Sequence, residues 1–273
     1  MACDRFHLCR AHELALAVGA AVLSLVPPLL GQFGPLLNPL QGPQAKSQEE
    51  LDAFLEIVTV SDSRVTIQKV DRFVSHFAQS EFLGVAFQYK MLACYRTGDF
   101  ECLLRSGDEV LQLQPDNLNV LLTLASAIPD AVAGRRDATE LLERAEDFAQ
   151  RGLQRLGTIH IPHEIPLERW KILKGEMEAH AHQALGQVAA KRGNLRRAIA
   201  EFEMAAFNNP SPQGTQFLLL GSAHQMAGNI DAARKALLRA VELGPDEIRT
   251  LASNELRKLN EGNLDDRPDR KAP

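Results

Sequence analysis

His160, His163, His180 and His182 are the residues of this chain nearest to a metal cluster. Their spacing argues against ligation. His180 and His182 lie two apart on a helical stretch and project in different directions, whereas helical metal ligands recur at three or four residues. They read as surface or packing side chains, and no metal is expected. Of the four cysteines, Cys3 and Cys9 precede an apolar N-terminal run. Cys94 and Cys102 lie about equally far on either side of an expected helix–helix turn at Thr97–Gly98. That placement leaves open a disulfide, which export would allow, or two small buried thiols. The sequence has no glycine-rich phosphate loop, no G-x-S-x-G elbow, no H-E-x-x-H and no C-x-x-C. Acidic residues are numerous, but most stand near Lys or Arg on helix faces, as Glu140, Glu143, Arg144 and Asp147 do, which is the pattern of a solvated face. The chain is therefore expected to be no enzyme and to hold no cofactor.

Binding is what remains, and helices must build the surface for it. The 273 residues suffice for a core in one elongated domain. Ala and Leu dominate, both good helix formers, with one Trp and two Tyr. The net charge of -5 lacks the positive field that nucleic acid requires, so no nucleic-acid partner is expected. Helical pattern begins at Ser47, a candidate N-cap with Glu50 three residues on. The expected helices span 47–60, 64–79, 82–97, 99–113, 117–127, 137–156, 165–192, 195–208, 213–227, 230–243 and 246–260. Most connections are short, so neighbours should pack antiparallel.

The flanks differ in composition. Residues 1–31 hold an uncharged apolar run from Leu14 to Val26, continued past Pro27 and Pro28, with Arg5 and Arg10 ahead of it. The segment reads as a signal peptide or a retained membrane anchor, or as the product of a misassigned start codon. Membrane association through it and an exported, periplasmic or extracytoplasmic location are the corresponding expectations. Residues 32–46, rich in Pro, Gly, Gln and Asn, read as a linker. The polar stretch 261–273 reads as a disordered tail.

Two segments carry an internal repeat. Reading back from Pro245, the positions Phe217, Leu220, Gly221, His224, Gly228, Ala233, Leu237 and Ala240 recur 35 residues earlier as His182, Leu185, Gly186, Ala189, Gly193, Ala198, Phe202 and Ala205, ahead of Pro210. The pattern resembles the tetratricopeptide repeat (TPR), a helix-turn-helix of about 34 residues with the signature W-x2-L-G-x2-Y, A-x3-F, P. Its Trp and Tyr positions are substituted here, and its small positions are kept. The clear copies span 179–212 and 214–247. A weaker one spans 84–117, on Phe87, Cys94, Gly98, Phe100, Val110 and Pro115, with Met91 in the glycine position. Divergent pairs fill 47–82 and 118–157, and 246–260 reads as a capping helix. DRFVSHFAQSEF resembles the second helix of a degenerate repeat in envelope-associated members, and the layout resembles exported bacterial repeat proteins. The register places Gly186 against Ala198 and Gly221 against Ala233, with Phe202 and Leu237 filling the space between helices.

The resemblance implies an all-α fold, a right-handed superhelical solenoid of antiparallel helix pairs with a concave groove. By register the groove positions are Gln88, Leu92, Tyr95 and Arg96 in the weaker repeat. In the clear repeats they are His180, Gln183, Gln187 and Lys191, then Thr215, Leu218, Ser222 and Gln225. The Lys, Asn and Arg clamp with which some members hold a C-terminal carboxylate is replaced by Gln, Leu, Ser and Thr, so an acidic peptide tail is not the expected ligand. The function implied is a non-enzymatic protein-interaction module that holds a protein or peptide in this groove, in the cell envelope. The alternative is a self-associating envelope scaffold or a membrane-held oligomer.

Overall fold

The computed structural model describes residues 43–161 and 165–265 of the chain. The signal or anchor at 1–31 and all but the end of the linker lie outside the described residues, as do 266–273 of the expected tail. Among the described residues every regular element is a helix: α1 (Gln48–Thr59), α2 (Ser63–His76), α3 (Leu83–Thr97), α4 (Phe100–Leu113), α5 (Leu118–Ala131), α6 (Ala138–Thr158), α7 (Leu167–Lys191), α8 (Leu195–Phe207), α9 (Gly214–Met226), α10 (Ile230–Leu243) and α11 (Asp246–Asp265). None of them is long and apolar enough to cross a membrane.

Helix starts follow from local chemistry. Ser47, Asp62, Asp99 and Asn194 each accept a hydrogen bond from a backbone N–H three residues on, which satisfies an orphan donor of the first turn. Glu50 reaches back to accept a hydrogen bond from the Lys46 N–H, one residue ahead of the Ser47 cap. The three clearest inter-helix turns share one geometry. Gly98, Gly193 and Gly228 take φ of 71°, 75° and 77°, which glycine adopts without steric penalty. The next residue then donates its N–H to a carbonyl five positions back, at Cys94, Ala189 and His224.

Three helices run past their expected ends, α6 by two residues to Thr158. α5 passes through Pro129 to Ala131 instead of stopping at 127. Pro129 removes one backbone donor, but it sits in the last turn, and buried Ile128 and Val132 on either side hold that turn against the core. α11 extends to Asp265, so 261–265, read as the start of a disordered tail, is helical.

The described residues form two compact units, the first made of 43–124 with 157–161, the second of 125–156 with 165–265. In the first, α2 packs on α1 and α3, and α3 on α4. Ile57, Val70, Phe73, Phe82 and Ala86 form its buried cluster. Phe54 stacks on Phe82 with ring centroids 4.3 Å apart. Cys94 and Cys102, both buried, are joined in a disulfide across the α3–α4 turn, with Cα atoms 5.6 Å apart. In the second unit α7 packs on α8, α8 on α9, α9 on α10 and α10 on α11. Its core joins Phe202, Phe217, Leu218, Leu237 and the small residues Ala198, Ala233 and Ala240. Ile248, Ala252 and Leu259 turn one face of α11 into this core, while Ser253, Asn254 and Arg257 stay exposed.

The glycines in the repeats make room first for large side chains, and Gly221 also lies close to Ala233 as expected. A Cβ on Gly186 would lie 2.5 Å from the Phe202 ring, which supplies its nearest neighbours. A Cβ on Gly221 would meet Leu237 at 2.8 Å before the Ala233 carbonyl at 3.3 Å. The weaker repeat uses the same device on its second helix, where a Cβ on Gly107 would meet Leu124 of α5 at 2.8 Å. Met91, in the glycine position of α3, is buried in turn.

Candidate functional site

The candidate positions separate by unit. In the first, Gln88, Leu92 and Tyr95 are half-buried on α3, and Arg96 is exposed at its end. Gln88 turns its amide back to the Gly84 carbonyl at 3.4 Å. In the second, α7 carries His180, Gln183, Gln187 and Lys191, and α9 carries Thr215, Leu218, Ser222 and Gln225. Gln183, Gln187 and Thr215 are 6%, 7% and 8% exposed, and Leu218 is wholly buried. His180, Lys191, Ser222 and Gln225 remain half-buried. The α7 and α9 faces therefore combine a buried floor with four half-buried residues.

Gln187 is tied to a residue outside the predicted set. Its Nε2 donates to Oδ1 of Asp130 on α5 at 3.2 Å. Its Oε1 is shielded from water and accepts no hydrogen bond. The Ser222 hydroxyl, 35 residues later at the same register position, is likewise shielded and unpaired. Burial pushes the Asp130 carboxyl up to about 7, and the charge of Lys191 offsets only part of that. Burial alone pushes His180 down to about 4, so its ring is neutral at physiological pH. Two ionisable groups of the second unit thus sit in water-poor surroundings that favour their uncharged forms.

Asp130 escapes sequence reading because Pro129 precedes it and a proline ordinarily ends a helix. One signal for it was present. Leu121, Leu124, Ala125, Ile128 and Val132 keep a helical apolar period through the proline, and all five are buried.

Ion pairs tie neighbouring helices of the same unit. Glu146 of α6 pairs with Arg192 and, at 2.7 Å, with Arg197 of α8. Burial works to raise the Glu146 carboxyl, but hydrogen bonds from the two arginines outweigh it and hold the group below its ordinary value. His182 meets Glu201 at 2.8 Å, tying α7 to α8. That contact gives His182 a packing role, and His160 is an exposed residue after α6. His163 lies outside the described residues.

The sequence matches no family model and no curated protein. Among solved structures, the chain is similar to a thermophilic TPR protein of Thermus thermophilus. The two are 16% identical, with a TM-score of 0.52, over 77% of this chain and 98% of that one. At that identity the likeness speaks for the fold. Together with the all-helical architecture and the successive packing of helix pairs, it establishes that the chain has a TPR-like fold.

Proposed function

We propose that this chain is a non-enzymatic interaction module that holds an extended segment of another protein along the α7 and α9 faces. The observation that carries the reading is the pair of shielded, unpaired polar atoms, Gln187 Oε1 and Ser222 Oγ, at equivalent positions of consecutive repeats. An unmade hydrogen bond at a buried polar group costs roughly 1–3 kcal/mol, and a peptide backbone laid along the repeats offers donors at regular intervals. The partly accessible Lys191 and Gln225 give such a segment a way in. The TPR-like fold is consistent with this use, since stacked repeats build extended binding surfaces.

We also propose that the module works outside the cytoplasm. The Cys94–Cys102 disulfide supports an oxidising compartment, and the apolar run at Leu14–Val26 supports export or anchoring.

Site-specific photocrosslinking in cells tests the binding role. A benzophenone side chain at Gln225 is expected to capture a different polypeptide, while one at Leu238, exposed on α10, does not. Capture from Leu238 alone would overturn the reading. Crosslinks from Gln225 to a second copy of the chain would replace it with self-association.

A further inference from the structure

We propose that the surface around Gln187 recognises a basic side chain, an arginine or lysine of the bound segment, whose N–H groups fill the acceptor pair formed by Asp130 and the Gln187 amide oxygen. This rests on the binding reading above and names the chemistry of the occupant.

The site has an unmet demand for hydrogen-bond donors. Gln187 is 7% exposed, and its single donor contact is already spent on Asp130 Oδ1 at 3.2 Å. This pair holds a shielded amide oxygen with no partner beside a half-buried carboxyl group with acceptor capacity left. Both want donors. An acidic ligand would set acceptor against acceptor, and an apolar one would leave the amide oxygen unpaired. A guanidinium brings a planar fork of N–H donors that spans a carboxylate and a neighbouring oxygen, and an ammonium brings three donors without the plane. Asp130 is half-buried rather than sealed, so a long basic side chain can reach it with its apolar stem against the floor.

Lys191 is the internal competitor. It stands one helical turn beyond Gln187 on α7, is partly exposed, and already acts on the Asp130 charge. It can withdraw into solvent when a better-placed cation arrives. Burial keeps a large share of Asp130 protonated near neutral pH, so an arriving cation makes the carboxyl ionise and release its proton to buffer.

Selection from a random peptide library on the full chain tests this. The recovered peptides should be enriched in Arg or Lys at one position. Replacing that arginine by citrulline, which keeps the shape and removes the charge, should weaken binding at least about tenfold. Asp130→Asn, with its melting temperature checked, should abolish the difference between the two peptides, and Lys191→Met should tighten binding of the arginine form. Peptides without basic enrichment, or a citrulline peptide that binds equally well, overturn this inference and leave the binding role standing. Recovery of no peptide overturns both.

Discussion

A methyl group on Gly186 would sit 2.5 Å from the ring of Phe202, closer than packed carbon atoms approach. Phe202 is 3% exposed and has nowhere to retreat. Alanine at a mid-helix glycine ordinarily gains about 1 kcal/mol from propensity. Here overpacking should win, and Gly186→Ala is expected to cost roughly 1–3 kcal/mol in urea unfolding. Phe202→Leu in the same chain should return part of that loss. Ala233, wholly buried beside Gly221, should respond in the same way to Ala233→Leu. A stabilising Gly186→Ala would mean that α7 and α8 do not meet in this register.

The Cys94–Cys102 disulfide closes a short loop over the α3–α4 turn. Chain entropy for a loop of this length gives a stabilisation of about 2–3 kcal/mol. Adding dithiothreitol, or replacing both cysteines by alanine, should lower the urea midpoint correspondingly. Mass spectrometry of the purified chain should find neither thiol available to alkylation. Two freely alkylating thiols would contradict the bond and remove a support for an oxidising compartment.

Asp130 and His180 should give opposite pH dependences. The Asp130 carboxyl is raised in the folded state from 3.8 to about 7, so the folded chain binds the extra proton, and stability falls as pH rises between those values. The His180 ring is lowered from 6.5 to about 4, so the unfolded chain binds the extra proton, and stability falls as pH drops across that window. In the wild type the two slopes oppose each other over about pH 4 to 6.5. Asp130→Asn should expose the His180 slope, with stability rising with pH. His180→Gln should expose the Asp130 slope, with stability falling. Urea midpoints across this range, compared with wild type, measure both. Slopes unchanged by either substitution would show that these groups are not desolvated.

The helical order was legible because glycine, asparagine and aspartate at the turns act locally. Gly193 and Asn194 specify the end of one helix and the start of the next whatever surrounds them. The partner of Gly186 was not legible in the same way. A repeat register says that two helices approach closely, but the rotamer of Phe202 decides which side chain occupies the gap. The candidate positions show the same division. Spacing places Gln183, Gln187, Thr215 and Leu218 on particular helix faces, yet their depth depends on neighbouring helices, and all four are buried. Asp130 was hidden because tertiary packing of Ile128 and Val132 carries α5 through a proline that ordinarily ends a helix.

The most direct measurement for the central claim is chemical-shift mapping of the full chain, titrated with a peptide selected from a random library. Binding along the inner positions predicts side-chain and amide shifts at Gln183, Gln187, Ser222 and Gln225, with the exposed Met204, Phe207 and Leu238 of α8 and α10 unmoved. Shifts confined to Met204, Phe207 and Leu238 would contradict the account.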